Sequence, residues 1–150
     1  MGAVTVRGCR GGAEFPLLAE IWRRAVDATH DFLAEADRDA IEGRLVAEFL
    51  PEVVLSVAEV DGRVVGFSGV LGEKVEMLFV DPAAHGTGVG TALLERVVAE
   101  HGVTEVDVNE QNGQAVRFYD RRRFEVVGRS ETADEGRPYP LLHLRLTTRG

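Results

Sequence analysis

Val75-Glu76-Met77-Leu78-Phe79-Val80-Asp81-Pro82-Ala83-Ala84-His85-Gly86-Thr87-Gly88-Val89-Gly90, continuing as Thr91-Ala92-Leu93-Leu94-Glu95-Arg96-Val97-Val98-Ala99-Glu100-His101-Gly102, is the stretch that decides the fold. Its first six residues are a mostly apolar run closed by Asp-Pro, the pattern of a buried strand. After Val89 the period changes. Val89, Leu93 and Val97 are spaced by four, as are Leu94 and Val98, which makes a helix stripe. Gly102 suits the left-handed position just past a helix C-terminus. Gly86, Gly88 and Gly90 therefore sit where a strand hands over to a helix, whose first amides have no intrahelical acceptor. Those amides, the positive end of the helix dipole and the lack of side chains make an anion cradle suited to a phosphate-bearing ligand.

Spacing narrows the choice of ligand. A P-loop ends in Gly-Lys-Ser/Thr, whereas Gly90 runs straight into Thr91. A dinucleotide fingerprint has glycines as G-x-G-x-x-G directly after the strand. Here they fall as G-x-G-x-G, and Pro82 to His85 intervene. The plain alternative is a glycine turn that only lets helix and strand pack closely.

The pattern Leu78-x-Val80-x-Pro82-x-x-His85-x-x-Gly88-x-Gly90 resembles the acetyl-CoA signature of the GNAT-type N-acetyltransferases, with His85 where Arg or Gln is usual. Asn112-Gly113-Gln114-Ala115-Val116-Arg117-Phe118-Tyr119-Asp120-Arg121-Arg122-Arg123-Phe124 resembles a second motif of that family, with Arg123 where glycine is usual. If that position needs a positive φ, arginine would strain it by roughly 1 kcal/mol. The resemblance covers about residues 50 to 130 well and the N-terminal helices loosely. It implies acetyl-CoA as acyl donor and an amine acceptor, either a small molecule or a peptide. It leaves a homodimer open.

The chain's 150 residues allow one domain with a full core, so a single N-acetyltransferase domain over 1–150 is expected. With 45% hydrophobic and 28% charged residues it reads as globular rather than disordered. A net charge of −8, from 25 acidic and 17 basic residues, argues against nucleic-acid partners and favours a cationic or amine substrate. Cys9 is the one cysteine, so no internal disulfide can form, and it reads as a strand-end or loop residue. No membrane span or signal peptide is evident, and a cytoplasmic location is the expectation.

In chain order, Ala3 to Arg7 alternates as a first strand. Leu17, Leu18, Ile21, Trp22, Ala25 and Val26 mark a helix from Glu14 to about Ala28. Thr29 to Leu33 reads as a turn or short helix, and Asp37 to Leu50 as a helix stopped by Pro51. Val53–Val60 and Arg63–Leu71 form a hairpin at Asp61-Gly62. Beyond the glycine helix come a strand from Val103 to Asn109, a helix from Asn112 to Arg122 with Asn112 as N-cap, and a strand from Phe124 to Arg129. A loop from Glu131 to Pro140 leads to a last strand, Leu141–Thr147. The order β-α-α-β-β-β-α-β-α-β-β predicts an α/β fold: a mixed, mostly antiparallel sheet of about seven strands with helices on both faces. The resemblance implies the same topology, with acetyl-CoA inserted where the fourth and fifth strands splay.

Acetyl transfer from a thioester to an amine requires a held pyrophosphate, a placed thioester, a deprotonated amine and a protonated leaving thiolate. The loop His85, Gly86, Thr87, Gly88, Val89, Gly90 and Thr91 would serve the first, and the backbone of Leu78, Phe79 and Val80 the second, paired with the pantetheine arm like an added strand. The resemblance nominates Tyr119 as thiolate acid. Asn112 lies seven residues earlier on the same helix face, although Phe118-Tyr119 could instead simply pack the helix. Glu76, the carboxylate inside an apolar strand, is the candidate base or else an edge or hydrogen-bonded position. His30 with Asp31 is the runner-up, as an imidazole that titrates near working pH or an exposed His beside a capping Asp. Trp22 and Tyr139 are candidate walls of the acceptor site. Arg117, Arg121 or Arg122 could reach the 3′-phosphate or form a solvated helix end. None of the four histidines shows metal-ligand spacing, so no metal is expected. The competing function is a catalytically silent acyl-CoA-binding regulatory or sensor domain.

Overall fold

Asp61 and Gly62 both take positive φ, 53° and 76°, the pair of values that a type I′ turn demands. They join β2 (Val54–Val60) to β3 (Arg63–Leu71) as the sequence predicts. A computed structural model describes residues 2–133 and 136–147 and divides the chain into two compact units, Met1–Val103 and Thr104–Gly150.

In the first unit β1 (Val4–Gly8), β2, β3 and β4 (Lys74–Val80) pair antiparallel in that order. Val57, Phe67 and Phe79 line up across three strands, and Ala58, Gly66 and Val80 line up on the opposite face. Helix α1 (Phe15–Thr29) buries Leu18, Ile21, Trp22, Ala25 and Val26, while Leu17 stays partly exposed. Each large apolar side chain fully buried there contributes roughly 1.5–3 kcal/mol. Trp22 meets Phe79 edge-on at 6.3 Å, so α1 covers the phenylalanine face. Helix α3 (Val89–His101) covers the other face, where Val89 and Leu93 pack with Ala58, Val60, Val65 and Ala84. Gly66 permits that approach: a Cβ there would come within 3.0 Å of the Phe79 carbonyl oxygen and of Val89. Gly102, at φ 64°, ends α3 as predicted.

The predicted helix over Asp37–Leu50 is instead composite. Helix α2 (Glu35–Arg44) widens into a π-turn at Leu45–Phe49, and a 3-10 turn, Leu50–Glu52, takes up Pro51 near its start. Pro51 is tolerated there because the first turn needs no donor from it. The wide turn also brings Arg44 over the Phe49 ring at 4.8 Å, a cation–π contact.

In the second unit β5 (Glu105–Asn109), β7 (Leu141–Leu146) and β6 (Phe124–Ser130) pair antiparallel with β7 in the middle. The strand predicted from Val103 begins at Glu105; Val103 itself is buried behind the end of α3, its amide bonded to the Val97 carbonyl at 3.3 Å. Helix α4 (Gly113–Asp120) has Asn112 as its N-cap, as predicted, the side chain accepting from the Ala115 amide at 3.2 Å. Residues 134 and 135 of the predicted loop over 131–140 lie outside the described residues. Among the described residues, seven strands and four α-helices match the predicted mixed, mostly antiparallel α/β class.

Candidate active site

The glycine loop starts from a fastened corner. The Asp81 amide donates to the Val65 carbonyl at 2.8 Å, and its carboxylate caps the Pro82–Ala84 turn by accepting from the Ala83 amide at 3.0 Å. The same carboxylate accepts from Arg24 on α1 at 2.8 Å. Burial pushes the Asp81 carboxyl up, but Arg24 and the Ala83 amide outweigh it and hold it below the usual range. In the sequence Asp-Pro marks the end of a strand, and before a turn it is also a capping signal.

Past this corner, Gly86 and Gly88 adopt left-handed φ of 79° and 86°. No atom lies within 4 Å of where a Cβ would sit at either, so these glycines serve the backbone course and leave room for a ligand rather than for a neighbouring helix. Thr87 donates its hydroxyl to the Ala84 carbonyl. Val89 is buried and opens α3, with Gly90 and Thr91 in its first turn. His85 is exposed at the mouth of the loop. A glycine loop that runs into a helix N-terminus favours anions.

On β4, Leu78, Phe79 and Val80 are half-buried and pair with Ser68, Phe67 and Gly66. Glu76 sits at an irregularity of the strand. Val75 opposes Val70 and Met77 opposes Gly69, so Glu76 is the extra residue of a β-bulge, and it is exposed rather than buried in an apolar strand. A bulge lets a side chain leave the strand's alternation, and Glu76 lies on the exposed side of β4.

His30 departs from the expectation. The imidazole is buried, with Phe32 and Phe79 centroids at 5.1 and 6.4 Å, while Asp31 is exposed. Thr29 donates its hydroxyl to the Ala25 carbonyl (2.8 Å), so its oxygen is left to accept from His30 Nδ1–H (2.7 Å). Burial, reinforced by Arg38 and opposed by Asp31, lowers the imidazole to about 4, so it is neutral at working pH rather than titrating there. Trp22, His30 and Phe79 thus form one aromatic cluster, with Trp22 in the core.

In the second unit Tyr119 is buried, edge-on to Phe124 at 5.6 Å and to Phe118 at 5.0 Å. Burial pushes its phenol above the ordinary value, with Arg122 pulling the other way, so its proton leaves less readily than that of an exposed tyrosine. Arg122 lies over the Phe118 ring at 3.8 Å and donates to the Phe118 carbonyl, so it buttresses α4. Arg123 does take a positive φ, 69°. Tyr139 is buried in its loop. Cys9 follows β1 as a half-buried loop residue. Among the described residues no His, Cys, Asp and Glu cluster could hold a metal ion, and no helix is long and apolar enough to cross a membrane.

An acetyltransferase (GNAT) domain profile matches residues 20–140. The chain is 50% identical over 128 residues to the peptidyl-lysine N-acetyltransferase YjaB of Salmonella typhimurium, covering 85% of this chain and 88% of that one. It is 48% identical to the Escherichia coli K12 protein of the same name, covering 85% and 86%. The solution structure of apo-form YjaB from Escherichia coli superposes with a TM-score of 0.89 at 42% identity, covering 98% of this chain and 99% of that one. With the glycine cradle between β4 and α3, the capped α4 and this likeness across most of its length, the chain belongs to the GNAT family of acetyltransferases.

Proposed function

We propose that the amine acetylated by this N-acetyltransferase is the side chain of a lysine in a polypeptide, with acetyl-CoA as the donor. The observation that carries this reading is the 48–50% identity, over 85% of the chain, to two peptidyl-lysine N-acetyltransferases. The net charge of −8 suits a cationic acceptor.

The donor supplies an activated acetyl thioester; the chain's residues bind, orient and move protons. The backbone from Gly86 to Thr91 holds the pyrophosphate, with His85 beside it. The backbone of Leu78 to Val80 pairs with the extended arm that carries the thioester. A lysine ammonium, pKa near 10.4, must lose a proton before it can attack. Glu76, exposed on its bulge, holds the ammonium and passes its proton to water. Tyr119 gives a proton to the departing thiolate, an uphill transfer because burial strengthens the phenol's hold on its proton. Asn112 orders the start of α4 and so the helix bearing Tyr119. The exposed Asp31, next to the Trp22–His30 cluster, borders the acceptor. The chain acts as a single catalytic domain, without metal, in the cytoplasm.

The test is thiol release from acetyl-CoA with peptides that carry one lysine and a blocked N-terminus, set against lysine-free peptides with a free N-terminus and small polyamines. Acetyl-lysine should form, identified by peptide mass. Turnover on the free N-termini or polyamines, with none on the lysine peptides, would overturn the reading.

A further inference from the structure

Three side chains on the second unit's sheet stand in a serine–histidine–aspartate relay. Asp107 Oδ1 lies 2.7 Å from His143 Nδ1, and His143 Nε2 lies 2.6 Å from Ser130 Oγ. A carboxylate can only accept, so Nδ1 carries a proton, and in the neutral ring Nε2 then offers its lone pair to the Ser130 hydroxyl. That is the order of roles that makes a serine nucleophilic.

The sheet builds this arrangement by register. Asp107 and His143 are directly opposed on β5 and β7. Val126 opposes Leu144 but Gly128 opposes His143, so Val127 is an extra, bulged residue in β6. The bulge shifts the alternation by one and brings Ser130 onto the face of His143. Gly128, opposite the imidazole, adds no side chain over that ring edge. The buried partners Val106, Val108 and Leu144 occupy the other face. The relay is reachable from solvent, with side-chain exposures of 36% for His143 and 22% for Asp107.

We propose that Ser130 is the nucleophile of a second acyl-accepting centre, distinct from the amine-transfer reaction, which takes the acyl group of activated esters or thioesters. Ser130 Oγ bonds to the acyl carbon while its proton passes to His143 Nε2, and Asp107 stabilises the imidazolium. The bond from the acyl carbon to the leaving oxygen or sulfur breaks, and the imidazolium proton goes to that leaving group. The products are acyl-Ser130 and a free alcohol or thiol. Water attacking by the same route then releases a carboxylic acid and restores Ser130.

The test is acetylation of the full chain by p-nitrophenyl acetate and, separately, by acetyl-CoA, with the label located by peptide mass. Native Ser130 should take the label at least about tenfold faster than the same residue in the urea-unfolded chain, a conservative share of the 10²–10⁴ that a placed general base contributes. His143→Gln and Asp107→Asn should slow it, and Ser130→Ala should remove it while lysine-peptide acetylation persists. Label from the aryl ester alone restricts the centre to esters, and label from both extends it to thioesters. The proposal is overturned if native Ser130 reacts no faster than in the unfolded chain or is labelled equally in His143→Gln. Loss of peptide acetylation in Ser130→Ala, with the fold intact by thermal melt, would overturn it too.

Discussion

Lowering the pH should unfasten the aromatic cluster around His30, and the size of the effect follows from its surroundings. Protonation would give the ring a second buried N–H, on Nε2, beside Phe32 and Phe79, and a positive charge near Arg38. The unfolded chain accepts that proton near pH 6.5, the folded chain only near 4. Because the folded value is depressed, the unfolded state binds more protons between these limits, and stability falls as pH falls through them. At ~1.4 kcal/mol per pH unit the full loss is about 3 kcal/mol, of which about 2 kcal/mol is gone by pH 5. Typical domains have ~5–15 kcal/mol in all, so the effect is large. The assay is urea unfolding at several pH values from about 7 to 4.5, for the wild type and for His30→Asn, whose amide nitrogen can donate to Thr29 in place of Nδ1. Carboxylate titrations are shared and cancel in the difference. The wild type should lose about 2 kcal/mol more than the variant between pH 7 and 5. Parallel curves would refute the buried, neutral imidazole, whatever the variant's stability at neutral pH.

Other outcomes follow from the site. Gly88→Ala meets no neighbouring atom but forces a Cβ onto a φ of 86°, at about 1–2 kcal/mol. Acetyl-CoA affinity by calorimetry should weaken roughly tenfold, with the peptide KM little changed; unchanged affinity would remove the loop from donor binding. Tyr119→Phe keeps the rings packed and removes the proton donor, so kcat should drop by about 10²-fold while the KM for acetyl-CoA moves less than about twofold. Full activity would leave Tyr119 as packing only. Arg123→Gly relieves the strain of a φ of 69°, partly offset by glycine's greater freedom when unfolded, and Tm should rise by about 1–3 °C.

Most of the fold was legible because its signals are local. The switch of period at Val89 marks β4 and α3, Asp61-Gly62 can hardly be other than a type I′ turn, and Gly102 and Asn112 end and begin helices by backbone and capping chemistry confined to a few residues. The backbone course of the glycine loop was legible for the same reason, since it comes from alternating glycines and a helix start. Side-chain environments were not, because burial and alternation depend on partners distant in sequence. Glu76 reads as an interior residue of an apolar strand until the register with β3 makes it the bulged one. His30 reads as exposed beside a capping aspartate until Phe79, from β4, closes over it and sets its protonation. Ser130, His143 and Asp107 stand on three strands with nothing in their sequence spacing to link them. The α/β pattern, the turns and the glycine loop are written in periodicity and in residues with special φ, which the chain carries locally. Which ionisable groups are buried, which are exposed and which meet emerges only on folding, because strand register and helix docking choose their neighbours.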